Sequence, residues 1–361
     1  MLVDELDTPA LLIDLDALQA NIATLMDRLR PSGVAVRPHL KTAKCPQVAQ
    51  LLAEAGCRGF CVAKLGEAEL LAEAGIDDLL ITSEIAGAAK LARMAVLHQR
   101  HPRVKIVVDS VAGARALDAA CAGETPLDVL IELDVGQGRC GVAPGEPALA
   151  LARELRQLPN LQLVGLQGYE GHLQQVADRQ EKARRVDAAM DQLLGTAALL
   201  RDAGVAIEVV TTGGTGTCEL CARHNGVTEV QPGSFVFLDI SYRDSLGPGA
   251  NYANALVVLA TVVSRPTPNR AVIDAGLKAL STDMGNAEPL GLAGARYRPG
   301  GDEHGIIDLP DGQEAALAIG SQVMLLPSHI DTTVNLHDVF QVRRAEMVIA
   351  SWPVATRGKI Q

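Results

Sequence analysis

Between residues 34 and 237, short runs of β-branched and aliphatic residues alternate with longer stretches of helical spacing. The strand candidates are 34–37, 59–63, 78–82, 104–108, 128–134, 161–166, 206–211 and a last one within 227–237. Between them, 46–55, 66–74, 88–98, 111–121, 146–157 and 179–203 read as helices. In the last of these, Val186, Met190, Leu193, Leu194 and Leu199 recur at roughly the 3.6-residue period. Eight strand–helix alternations predict an α/β architecture, a parallel sheet that eight units can close into a (β/α)₈ TIM-type barrel. A doubly wound open sheet is the alternative. After Tyr242 the helical period fades. Apolar runs at 255–263, 270–274, 322–326, 339–342 and 347–350 are separated by Gly, Pro, Asp and Asn, which predicts a C-terminal all-β domain. The expected boundary lies in Leu246-Gly247-Pro248-Gly249, giving a barrel over 21–245 and a β domain over 246–361.

Composition narrows the function classes. The net charge of −11 argues against a nucleic-acid partner, which calls for a basic face. The run 255–263 is among the longest apolar ones and is far too short for a bilayer. The start Met1-Leu2-Val3-Asp4-Glu5 is acidic where an export signal is basic, so a cytoplasmic protein is expected. Seven cysteines without regular spacing make a poor disulfide framework. Cys218-x-x-Cys221 has no second pair and reads as small residues on one helix turn.

Barrel enzymes place their chemistry at the C-terminal ends of the strands. Those ends read Pro38-His39-Leu40-Lys41, Gly136-Gln137-Gly138-Arg139, Tyr169-Glu170-Gly171-His172 and Thr212-Gly213-Gly214-Thr215-Gly216, with Ser234, Asp239 and Tyr242 beyond the eighth strand. The Gly-rich turn is a phosphate signal, because glycines let N–H groups close on an anion. It is neither a Walker loop nor the dinucleotide G-x-G-x-x-G. Lys41 beside His39 is a Schiff-base candidate, with Lys44 competing for the role. His329-Ile330-Asp331, taken as an extended segment, puts imidazole and carboxylate on one side, where they can chelate Mn²⁺, Mg²⁺ or Zn²⁺. A surface His–Asp pair explains the same spacing. His337-Asp338 could add donors. His304 reads as a pocket or a turn histidine, Asp274 and Lys278 as supporting residues or a buried ion pair, and His39 as a cofactor buttress or packing. Trp352 reads as β-domain core, and His98, His101 and His224 as surface residues.

Taken together, these motifs resemble the bacterial D-threonine aldolases, within the fold-type III group of pyridoxal-phosphate (PLP) enzymes that also holds alanine racemase and the D-serine dehydratases. The likeness runs from about Asp7 to Gly358. It includes Asp7-Thr8-Pro9, Arg37-Pro38-His39, Asp134-Val135-Gly136-Gln137-Gly138-Arg139-Cys140-Gly141, Gly213-Gly214-Thr215-Gly216, Asp274-Ala275-Gly276-Leu277-Lys278, Asp302-Glu303-His304-Gly305 and Pro327-Ser328-His329-Ile330-Asp331. The resemblance implies that residues 1–20 pack on the β domain, and that Lys41 holds PLP. It implies that Arg139 lies near the phenolic oxygen of the ring and Tyr169 near its nitrogen. Thr212, Gly214, Thr215, Ser234 and Tyr242 would hold the phosphate. His329 and Asp331 would hold a divalent metal, with Mn²⁺ the first expectation. The implied reaction is retro-aldol cleavage of a small D-3-hydroxy amino acid, D-threonine giving glycine and acetaldehyde. Relatives of this kind are commonly homodimers. One departure stands out: the aldolases carry a histidine where this chain has Gln175, so either His172 takes over as the base, or the metal-bound hydroxyl loses its proton without a protein base, or the reaction is not the aldol cleavage. Dehydration to a keto acid and ammonia is the alternative, although the dehydratases use a cysteine where Asp331 stands. A PLP-binding protein without turnover is the remote one.

Overall fold

The computed structural model describes residues 1–361 with the exception of Glu314. In chain order the first strands are β1 (Ala10–Asp14), β2 (Ala35–Val36), β3 (Phe60–Val62), β4 (Leu79–Ile81), β5 (Lys105–Val108), β6 (Leu127–Glu132), β7 (Leu161–Gln167), β8 (Val209–Thr212) and β9 (Glu229–Val230). Then follow β10 (Leu256–Thr267), β11 (Arg270–Ile273), β12 (Glu288–Pro289), β13 (Arg296–Pro299), β14 (Gly305–Asp308), β15 (Gln322–Leu326), β16 (Val339–Arg344) and β17 (Met347–Pro353). The helices are α1 (Leu15–Leu29), α2 (Pro46–Glu54), α3 (Leu65–Glu73), α4 (Ala88–Arg100), α5 (Val111–Ala120), α6 (Glu146–Leu155), α7 (Arg179–Asp202), α8 (Cys218–Cys221), α9 (Ile240–Leu246) and α10 (Ile330–Val334). Two compact units contain them, one of Met1–Thr24, Thr42–Cys45 and Ser234–Arg357, the other of Leu25–Lys41, Pro46–Gly233 and Gly358–Gln361.

In the second unit eight parallel strands run in the order β2-β9-β8-β7-β6-β5-β4-β3. The ends of that order meet. His39 bridges Cys61 in parallel, and the backbone bonds Arg58 N to Val36 O, Cys61 N to Pro38 O and Leu40 N to Cys61 O close the ring. The fold is therefore the TIM-type barrel that the alternation predicts. A strand buried on both faces reads as a continuous apolar run, which is why these short strands are visible in the sequence. Cys61, Leu80, Val107 and Leu130 form one inner cluster, with Val164 and Val209 packed on it. Helix α7 opens with an Asp178 cap that accepts the Gln180 and Glu181 N–H groups.

The first unit carries a mixed, mostly antiparallel sheet in the order β13-β14-β11-β10-β1-β16-β17, with β15 paired to β10 and β12. The N-terminal segment is more than packing material. β1 is a central strand, antiparallel to β10 and parallel to β16. Val3, Leu6, Leu12, Val257 and Leu259 form a core cluster there. This unit takes up the chain again at Ser234, ahead of the composition change near residue 246. Trp352 is only half-buried on β17, contrary to its reading as core. His98 is the opposite case: it is 6% exposed, and its ring nitrogen bonds Thr125 O at 2.9 Å.

Candidate active site

Each barrel strand delivers its next residues to the C-terminal face. Beyond β2, the Lys41 N–H donates to His39 Nδ1 at 3.3 Å, and His39 Nε2 lies 3.0 Å from Thr82 Oγ1. Nδ1 accepts, so the ring proton sits on Nε2 and donates to the threonine, which itself donates to Val62 O at 3.1 Å. His39 thus fixes the turn that presents Lys41, whose side chain is exposed. Its rival Lys44 is buried, with a left-handed φ of 52°. That leaves Lys41 as the accessible amine of the two.

The turns after β6 and β7 face each other. Asp134 Oδ1 accepts the N–H groups of Gly136 at 3.0 Å and Gly138 at 2.9 Å. These bonds hold its carboxyl below the usual range. They shape the turn that carries Arg139, whose guanidinium carbon lies 5.9 Å from the Tyr169 ring centre. Gly136 has φ 116°, and a Cβ there would stand 3.2 Å from the His172 ring. Only glycine lets that imidazole lie so close. Burial and the neighbouring Arg185 lower the pKa of His172, which favours the neutral base.

The Gly-rich turn after β8 is organised from beneath by Glu170, fully buried at 0% exposure. Its Oε2 accepts the Thr212 hydroxyl at 2.7 Å and the Gly213 N–H at 3.2 Å, and its Oε1 accepts the Gln174 amide at 3.3 Å and the Thr217 hydroxyl. Two expected phosphate donors are thereby corrected. Thr212 Oγ1 has one proton and two acceptors at 2.7 Å, Gly168 O and Glu170. The Gly214 N–H goes to Thr217 Oγ1 at 3.2 Å. What Gly214 supplies is space, since a Cβ would fall 2.6 Å from Gln174 Oε1. Thr215 is 6% exposed and its hydroxyl oxygen accepts the Gly233 N–H at 3.2 Å. The helix after this turn is the single-turn α8, with Cys218 and Cys221 buried as free thiols.

Inside the barrel mouth a polar layer went unread in the sequence. Glu132 accepts from the Gln167 amide, and Gln231 Nε2 lies 2.8 Å from both Gln167 Oε1 and Thr211 Oγ1. Burial, with Glu84 and Asp109 adding to it, pushes the Glu132 carboxyl up to about 8. Donor atoms of Glu84, Asp109 and Cys140 lie within 4.8 Å of one another, the sole such group of three among the described residues. The available signal was positional: each follows a barrel strand.

In the sheet unit, His329 is the extended N-cap of α10, with φ −141° and ψ 120°, while Asp331 lies inside that helix. The extended-segment argument for the pair is therefore wrong; a helix start, not a pleat, sets their relation. His329 Nδ1 lies 2.6 Å from Asp283 Oδ2, a partner the sequence reading missed because the loop bearing it has no pattern. Asp239, also at 0% exposure, accepts Tyr242 N–H at 2.9 Å and Ile330 N–H at 3.0 Å. One carboxylate thus ties the start of α9, which carries Tyr242, to the start of α10. Burial pushes Asp239 up to about 6, with Asp331 adding to the shift and His329 among the groups opposing it. Ser234 is buried at the head of the short turn Ser234–Val236. Asp274 pairs with the Thr8 hydroxyl at 2.5 Å and the Thr261 N–H at 2.8 Å, and Lys278 with Glu303, so these two form no ion pair with each other. His337 Nε2 bonds Ala279 O at 2.8 Å, away from the His329 group.

The parallel barrel, its strand-end lysine and Gly-rich turn, and the separate antiparallel sheet define a class, and the chain belongs to it. Residues 13–240 match the family "Alanine racemase, N-terminal domain", with a putative serine dehydratase domain over 255–343. Its relatives of this architecture are fold-type III enzymes. Among individual proteins the chain is 39% identical over 355 residues to a D-threonine aldolase of an Arthrobacter species, covering 98% of this chain and 93% of that one. It is 35% identical to the D-threo-3-hydroxyaspartate dehydratase of Delftia sp. strain HT23, covering 96% and 97%. The crystal structure of D-threonine aldolase from Filomicrobium marinum superposes with a TM-score of 0.95 at 38% identity, over 99% and 98% of the two chains. Among the described residues no helix is long and apolar enough to cross a membrane.

Proposed function

We propose that this protein is a PLP- and divalent-metal-dependent lyase that cleaves D-3-hydroxy amino acids, D-threonine to glycine and acetaldehyde. The observation that carries the aldol reading is the donor set around His329. His329 caps the start of α10 with its Nδ1 on the Asp283 carboxylate, and Asp331 follows two residues on in that helix. Oxygen and imidazole donors suit Mn²⁺ or Mg²⁺ better than soft metals, with Zn²⁺ also accommodated. His329 and Asp331 would hold the ion. For the cofactor the donor set also fits: an exposed lysine at one strand end, an Arg–Tyr pair carried by the turns of two others, and a buried threonine on the Gly-rich turn.

When bound, PLP supplies an electron sink for the pair left on Cα, and the divalent ion a Lewis acid for the β-oxygen. The chain's own residues do the rest. Lys41 would hold the cofactor aldehyde. Arg139 and Tyr169 would orient the ring. Thr215, Ser234 and Tyr242 would hold the phosphate, while Thr212 and Gly214 shape the turn. His172, whose pKa desolvation and Arg185 lower, accepts the β-hydroxyl proton as Cα–Cβ breaks and the aldehyde leaves. A proton returned to Cα completes glycine.

The test is a product assay on PLP-loaded protein with D-threonine and Mn²⁺, read by NMR with and without a chelator. Glycine and acetaldehyde, lost with the chelator, are expected. Lys41→Ala should abolish turnover by removing the amine that would hold the cofactor, while His172→Ala should lower the rate by about 10²–10⁴-fold, the range for a positioned proton-transfer group. Gln175, where the aldolases carry histidine, favours dehydration as the second reading, and 2-oxobutyrate with ammonia would establish it.

A further inference from the structure

We propose that Asp283 is a positioning residue that sets the tautomer and plane of the His329 imidazole, so that only Nε2 faces a metal ion. This rests on the metal role given to His329 above. The geometry is specific. Asp283 Oδ2 lies 2.6 Å from His329 Nδ1, and an ionised carboxylate only accepts, so Nδ1 carries the ring hydrogen. The remaining nitrogen, Nε2, then holds its lone pair in the ring plane, the form in which imidazole binds a cation.

Asp283 is itself held. Its Oδ1 accepts the Ser281 hydroxyl at 2.6 Å and the Thr332 hydroxyl at 3.0 Å. Thr332 sits one residue past Asp331 on α10, and its oxygen lies 3.3 Å from His329 Nδ1. The loop and the helix start are fastened a second time through Thr333, whose hydroxyl donates to His329 O at 2.8 Å and takes the Ser281 N–H at 3.3 Å. Both oxygens of Asp283 are therefore engaged by the chain's own groups, although the residue is exposed. That is the arrangement of a residue that acts through the histidine. It differs from Asp331, which is offered as a ligand itself.

The experiment uses metal-stripped, PLP-loaded protein and has two readouts besides activity. The first is ¹⁵N NMR of the histidine rings, with the His329 signal assigned by its loss in His329→Gln. The Nδ1–H tautomer is expected, and an Nε2–H tautomer overturns the proposal without any Asp283 variant having to fold. The second is Mn²⁺ affinity from the EPR signal of the free ion. Asp283→Ala should weaken binding about 10–100-fold, the usual cost of losing the carboxylate behind a ligating histidine. Asp283→Asn should recover part of it, because its amide oxygen accepts the same bond without the charge. Affinity within twofold of wild type in Asp283→Ala overturns the proposal. So does equal, complete loss in both variants, which is how a direct ligand behaves. Unchanged affinity in His329→Gln removes the metal from His329. That is a failure of the functional reading, and it takes the purpose assigned to Asp283 with it.

Discussion

Glu170 in the barrel unit and Asp239 in the sheet unit are both fully buried carboxylates, and each fixes a segment that carries candidate site residues. They do so differently. Glu170 gathers two hydroxyls, an amide and one backbone N–H onto a glycine-rich turn. Asp239 takes only two backbone N–H groups, the starts of α9 and α10. The first is a network around a loop that must stay open; the second is a double helix cap. A buried carboxylate is tolerated where donors surround it, and the kind of donor decides what its loss will do.

The largest effect is therefore expected at Glu170. Glu170→Ala strands the buried Gly213 N–H and leaves a void beneath the turn. The loss should be about 2–3 kcal/mol, read as a lower denaturant midpoint, and retention of PLP on dialysis should fall with it. Stability within about 0.5 kcal/mol of wild type would mean that the turn holds itself and that Glu170 does not organise it.

Asp239→Asn should cost less. The amide keeps one oxygen that can accept one of the two N–H groups, so a single cap is lost, about 1 kcal/mol. Loss of a full Glu170-sized increment would erase the distinction between cap and network. Equal hydrogen-exchange rates at Tyr242 and Ile330 in the two proteins would show that neither helix start depends on the carboxylate.

The same contrast explains what could be read beforehand. The barrel strands are short apolar runs with helices between them, and topology alone sends the following residues to the active face. Lys41, Arg139, Tyr169, His172 and Thr215 are candidates on that ground. Glu170 stood in a quoted motif, yet its role is invisible in sequence because its partners Thr212, Gly213 and Thr217 lie more than 40 residues on. In the sheet unit the local rules fail sooner. A five-residue helix such as α10 has no period to detect, so His329 and Asp331 read as an extended segment where Asp331 is in fact helical. β1 went unread because its partners, β10 and β16, are far along the chain. Asp283 had no signal at all.

At acid pH the smallest effect should come from a third buried carboxylate, and it separates the two causes at work. Glu132 has Gln167 as a donor, but Glu84 and Asp109 face it, and burial with these neighbours raises its pKa to about 8 from an ordinary 4.5. Between those values the folded chain holds a proton that the unfolded chain has released. Stability from this group is thus complete below the unfolded value and is lost as pH rises towards the folded one. Glu132→Gln carries no such proton. At pH 5 the amide is a near-isostere of the protonated acid, and the two proteins should unfold within about 1 kcal/mol of each other. Between pH 5 and pH 8 the wild type should lose stability relative to the variant. A difference that stays flat over that range would show that Glu132 is ionised in the folded barrel. It would then be a donor-satisfied carboxylate like Glu170, and the acidic neighbours would have no hold on it.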